Sequence, residues 1–247
     1  MNMKQWMENP MGKGSSVLQL PVLREKFNKQ YEEIHTRMKV KWYCIDQKYY
    51  VAHVSVPSLS VDRLFYDVLL EFDIDTIPKS SIVINEGAMR VFSNCPSFTF
   101  TYAHVYLEQG ILINWAKHKY AKKVTKLDPV QRNPQKVLSY ERSLYFAIKF
   151  ITSEGRSYKS KVTNGMIMLK NPKTITNLIR TSDEILELYD RGKKKLPPEE
   201  KKKPEEKESK SKGKIPSKKS SSKGKITKTK KVVKTGKTKN MKKIKKI

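Results

Sequence analysis

Lys39-Val-Lys-Trp-Tyr-Cys-Ile-Asp-Gln-Lys-Tyr-Tyr-Val-Ala-His-Val-Ser-Val-Pro57 is the stretch that decides the fold. Val40, Trp42 and Cys44 alternate with Lys41 and Tyr43. Tyr50, Ala52, Val54 and Val56 then alternate with Tyr49, Val51, His53 and Ser55. A period of two means strands, and Asp46-Gln47 between the runs makes a hairpin, although the favoured Asn-Gly or Asp-Gly pair is missing. Tyr66, Val68, Leu70 and Phe72 continue the pattern, with Asp67, Glu71 and Asp73 on the opposite face. Runs at 82–84 and 89–92 supply one or two further strands. The expectation is an antiparallel sheet with one buried face.

Upstream of the hairpin the period is helical. Leu23, Phe27, Tyr31, Ile34 and Met38 form one apolar stripe behind Pro21, which predicts a helix over 21–38. Residues 1–16 read as a flexible arm anchored by Trp6. Downstream, 98–106 (FTFTYAHVY) fits a strand or a helix that starts after Pro96, and its aromatic and Thr content favours the strand. Residues 111–120 read as helical, 135–151 as an amphipathic helix, 152–165 as an exposed basic loop, and 166–169 as a return to the sheet edge. Thr181-Ser-Asp-Glu184 is a capping box that launches a helix ending at Gly192. Together these give an α+β fold in which helices cover the sheet, with Trp42, Phe72 and Leu144 buried in one core.

The last 57 residues have a different composition. Residues 191–247 contain Arg191 and 24 lysines against five glutamates, a net charge of +20, and no Phe, Tyr or Trp. Such a segment cannot bury enough surface to offset the entropy of ordering it, so a disordered tail is expected over 192–247 after a globular domain at 17–191. A cation density this high points to a polyanion, nucleic acid above all, the alternative being a solubilising tail. Two cysteines without a CxxC, and no export signal in the first residues, suggest a reducing compartment. No stretch is apolar and long enough for a membrane helix.

Few residues suggest catalysis. His35, His53, His104 and His118 are scattered and lack zinc-ligand spacing with Cys44 or Cys95. Cys95 with His104 is a conceivable nucleophile–base pair, but a Cys before Pro96 among aromatics reads more readily as packing. Asp67, Glu71 and Asp73 are a strand carboxylate cluster of the type that holds magnesium in nucleases, or simply a solvated face. Gly12-Lys-Gly-Ser-Ser16 lacks the order and the preceding strand of a phosphate loop. Basic residues interleaved with aromatics are the stronger signal. In WAKHKYAKKVTK (115–126), Lys117, Lys119, Lys122 and Lys123 can meet phosphates while Trp115 stacks on a base or anchors the segment. Lys193, Lys194, Lys195, Lys218, Lys219, Lys230, Lys231, Lys242 and Lys243 stand for the tail's contacts. Arg156, Lys159 and Lys161 form a weaker patch.

Phe92-Ser-Asn-Cys-Pro-Ser-Phe-Thr-Phe-Thr-Tyr102, Arg132-Asn-Pro134 and Tyr140-Glu141-x-Ser143-Leu-Tyr-Phe-Ala147 resemble a family of uncharacterised virion or structural-type proteins of tailed bacteriophages. Asn9-Pro-Met-Gly-Lys-Gly14, Val56-Pro-Ser58 and Tyr66-Asp67-Val68 fit the same pattern, so the resemblance spans about residues 1–151. It implies a protein of the virion or the host cytoplasm, with other virion proteins as partners, and it brings no catalytic residues. The expected function is therefore a non-enzymatic structural or virion-associated protein, without cofactor or metal, that contacts nucleic acid (DNA foremost) non-specifically through its tail. A chromatin-like or RNA-binding basic protein is the alternative, and a metal-dependent nuclease the second.

Overall fold

In the computed structural model, residues 2–8, 19–120 and 141–194 are described. The chain opens with α1 (Met3–Glu8) and α2 (Gln19–Ile34). Strands β1 (Lys39–Ile45), β2 (Tyr49–Pro57), β3 (Phe65–Asp73) and β4 (Met89–Ser93) follow. After them come α3 (Pro96–Thr101), α4 (Ala103–Glu108), α5 (Arg142–Thr152), α6 (Lys159–Gly165), β5 (Ile167–Leu169), α7 (Lys173–Leu178) and α8 (Ser182–Lys194). The sheet order is β4-β3-β2-β1-β5. The first four strands are antiparallel neighbours, and β5 joins the β1 edge in parallel. The α+β class read from the alternation is the architecture observed. The hairpin turn forms as expected, with Asp46 and Gln47 both at positive φ (50° and 54°), the backbone that a type I′ turn demands.

Register sorts the strand residues onto two faces. Trp42, Ala52 and Leu70 line up on one face, as do Cys44, Tyr50 and Phe72. α5 packs across β2 and β3 on this side, and α2 lies against α5. Trp42, Phe72 and Leu144 are all buried in the one core, with the Trp42 and Phe72 rings 6.2 Å apart. Phe27 of α2 sits 5.5 Å from the Tyr145 ring and 6.1 Å from that of Phe146.

The other face was expected to be solvated and is not. Tyr43, Val51, Leu69 and Glu71 are buried there. The 3-10 turn Asn114–Lys119 and the chain around Arg180 cover it, through Trp115 on Glu71 and the Arg180 N–H on Asp67. Acidic residues in strict alternation therefore mark buried polar pairs here rather than a wet surface.

Five further expectations are corrected. Residues 98–106 form α3 and α4, not a strand: Pro96 occupies the first turn, and Phe98, Tyr102 and Tyr106 at i, i+4 spacing share a face. Tyr106 is wholly buried and accepts a 2.7 Å hydrogen bond from Trp6 Nε1, so α1 is pinned to the core by the anchor read from the sequence. Residues 111–113 are extended, because the Val91 N–H donates to the Ile111 carbonyl (2.8 Å) and the Ile113 N–H to that of Val91 (2.9 Å). This pairing covers the outer edge of β4, and only the following Asn114–Lys119 turn is helical. Residues 152–165 hold a 3-10 turn and α6 rather than an open loop. α8 runs through Gly192 to Lys194 instead of stopping there. Residues 82–84 make only an isolated bridge, Val83 to Tyr158. The expected helix start at 135–140, the Gly12–Ser16 stretch and the tail from 195 onward lie outside the described residues.

Candidate nucleic-acid interface

The carboxylates that suggested a metal each have a separate partner. Asp67 Oδ1 lies 2.8 Å from His53 Nε2, and its Oδ2 accepts from Asn94 Nδ2 (3.0 Å) and from the Arg180 N–H (3.3 Å). Asn94 completes the clamp by accepting from the Asp67 N–H (2.8 Å) and donating to the Arg180 carbonyl (3.2 Å). This network ties β3, the end of β4 and the chain before α8 together.

Glu71 is fully buried. Trp115 Nε1 donates to its Oε2 (2.6 Å), and the Arg90 guanidinium stands 2.6 Å from its Oε1. Burial nonetheless raises its carboxyl above the usual range, against the lowering effect of Trp115 and Arg90. Asp73 accepts from the Asp75 N–H at the head of a 3-10 turn. Three separate structural duties thus replace one convergent site, and no group of metal-ligating side chains is found among the described residues.

Cysteine and histidine are similarly committed. Cys95 is buried beneath α3, where desolvation pushes its thiol far above the ordinary value and away from the nucleophilic thiolate. His104 faces Glu108 across one helical turn (3.3 Å) rather than Cys95. Cys44 is a free, buried thiol whose pKa burial also raises.

Of the basic residues expected to meet phosphate, Lys117 is exposed and Lys119 half-buried on the Asn114–Lys119 turn. Trp115 of that turn points its N–H inward at Glu71, so it anchors the segment and is not a free stacking platform. Lys193 is exposed near the end of α8, its ammonium 4.6 Å over the Tyr189 ring, and Lys194 ends that helix. Lys122, Lys123, Lys195, Lys218, Lys219, Lys230, Lys231, Lys242 and Lys243 lie outside the described residues.

The 156–161 patch is largely occupied. Arg156 stacks over Phe150 (4.1 Å) and pairs with Glu154, Lys159 reaches the Pro78 carbonyl, and Lys161 the Glu154 carbonyl. A surface cluster of arginines, not noticed in the sequence, forms where the β2–β3 loop meets α8. Its members are 128 positions apart (Arg63 to Arg191), so no linear motif could reveal it.

Among the described residues no helix is long and apolar enough to cross a membrane. No family model, curated protein or solved structure matches this chain.

Proposed function

We propose that this protein is a non-enzymatic, virion-associated protein of the tailed-bacteriophage kind that holds nucleic acid, DNA foremost, electrostatically through Lys193, Lys194 and the Lys-rich residues that follow. The observation that carries the reading is the net charge of +20 over residues 191–247, in a stretch with no aromatic residue. Lysines on a segment without aromatics supply phosphate neutralisation and no base readout, so the contact is non-specific in sequence. The body is the part that docks on other virion proteins, for which the exposed Ile82, Tyr158, Ile167 and Met168 offer apolar surface.

Duplex binding measured across a salt series tests the reading. Each phosphate neutralised gives a log–log slope of about −0.9, so many simultaneous contacts predict a steep fall in affinity with salt. A flat salt dependence, or preference for one base sequence by more than about tenfold, contradicts it. Stronger binding to an RNA hairpin than to duplex DNA transfers the proposal to RNA.

A further inference from the structure

The groove between the β2–β3 loop and α8 brings together Arg63, Arg180 and Arg191 over Val61, Leu64 and Leu188. Three of the chain's nine arginines meet here, whereas no arginine follows Arg191. Each is positioned by a different device. Arg63 sits in a loop closed by the Ser58 N–H on the Leu64 carbonyl (2.8 Å). The Ser58 hydroxyl braces that loop by accepting from the Ser60 and Val61 N–H groups and from the Tyr66 hydroxyl, each at 3.2 Å. Arg63 itself takes a left-handed φ of 57°, which turns its side chain out so that it is 94% exposed.

Arg180 is held by its backbone in the Asp67–Asn94 clamp, which leaves its side chain exposed. Arg191 is carried by α8, whose start is set by the capping box: the Thr181 N–H donates to Glu184 Oε2 (2.6 Å) and the Glu184 N–H to Thr181 Oγ1 (3.2 Å). Gly192 lets α8 approach the loop, since a Cβ there would stand 2.2 Å from Val61 Cγ1. The acids nearby are Asp62, 3.7 Å from Arg63, Glu187, 3.3 Å from Arg191, and Glu184, which feels the Arg180 charge while capping α8. The Arg63 and Arg191 pairs are at least two-thirds exposed and bind weakly, so a phosphate can displace them.

We propose that this groove is a second phosphate-binding site, which grips the backbone of the same nucleic acid that the Lys-rich segment holds. The inference rests on the proposed function and adds a fixed contact to it. Lysines act as mobile point charges, while a guanidinium fork takes two phosphate oxygens at once. α8 leads directly from Arg191 through Lys193 and Lys194 into the Lys-rich sequence. The segment then supplies most of the affinity, and the groove fixes where the backbone leaves the body.

Fluorescence anisotropy with a short DNA duplex, using the full chain over a salt series, tests this. The triple variant R63Q/R180Q/R191Q is expected to lower the salt slope by about 2–3, one phosphate contact per arginine. The charge-matched control K26Q/K29Q/R37Q, on and just after α2 on the other side of the sheet, should change it by less than about one. R63K/R180K/R191K, which keeps the charge, should recover the wild-type slope.

Glutamine and control triples with equal slopes overturn the groove while leaving the Lys-rich contact standing. A lysine triple whose salt slope equals that of the glutamine triple, at an unchanged melting temperature, overturns it too. If the wild-type chain shows no salt-dependent binding, the proposed function fails and the groove fails with it.

Discussion

Basic residues in the folded part and basic residues in the last 57 positions stand in opposite relations to their neighbours. In the body, Arg90 pairs with Glu71 and stacks over Tyr49 (4.9 Å). Lys149 reaches Asn28 and Glu32 while lying 4.3 Å over the Tyr31 ring. Arg156 and Lys161 close the turn before α6. From 191 onward, 25 cations face five acids, so most of them cannot find a local counter-ion. Net charge therefore argues for a polyanionic partner only where the chain itself cannot cancel it, and Arg90, Lys149, Arg156 and Lys161 are explained by the fold. The groove arginines contrast with these four, being exposed, with Arg63 and Arg191 only loosely paired.

Substitutions in the body should move stability and leave nucleic-acid binding alone. Phe72→Ala is the largest: deleting a ring buried between Trp42 and the α5 layer should cost about 3–5 kcal/mol in urea unfolding, with no change in the salt slope. A loss below about 1 kcal/mol would contradict the register, because a shift of one residue turns Phe72 to the other face. Trp115→Phe should cost about 1–3 kcal/mol by removing the indole hydrogen bond to the buried Glu71 carboxylate and leaving Arg90 to face it alone. Were Trp115 a base-stacking residue instead, the substitution would lower affinity more than stability.

The pH dependence of Glu71 is a subtler check. Its folded carboxyl is raised above the ordinary value, so its contribution to stability is fully present below that value and is lost as pH rises through the folded one. Wild type should therefore lose stability relative to Glu71→Gln as pH increases from about 4 towards neutrality. An opposite trend would mean that Arg90 and Trp115 outweigh the burial.

Much of this fold was legible where one periodicity dominated. The 21–38 stripe, the Asp46-Gln47 hairpin, the third strand, the edge strand at 166–169 and the Thr181–Glu184 box are all local patterns, and each forms. What misled was context. The aromatics of 98–106 satisfy both periods, and burial of Phe98 and Tyr106 in the core selects the helix. Asp67 and Glu71 alternate as surface acids do, yet their partners Asn94, Arg180 and Trp115 come from outside the strands, and Arg90 from β4 through a register that the alternation does not give. Gly192 resembles a helix stop, but its role is close approach to Val61. The arginine groove was invisible for the same reason, being assembled from two distant stretches, 61–64 and 180–192.

The division between a self-satisfied body and a Lys-rich nucleic-acid contact is tested most directly by ending the chain at Lys194. Duplex binding and thermal unfolding are then measured for both forms. The account predicts that the shortened chain loses most of its affinity and keeps only the groove's salt slope of about 2–3. Its melting temperature should stay within about 2 °C of the full chain's, because the removed residues carry no aromatic side chain for the core. A shortened chain that bound duplex as tightly as the full one, with the same salt slope, would contradict it.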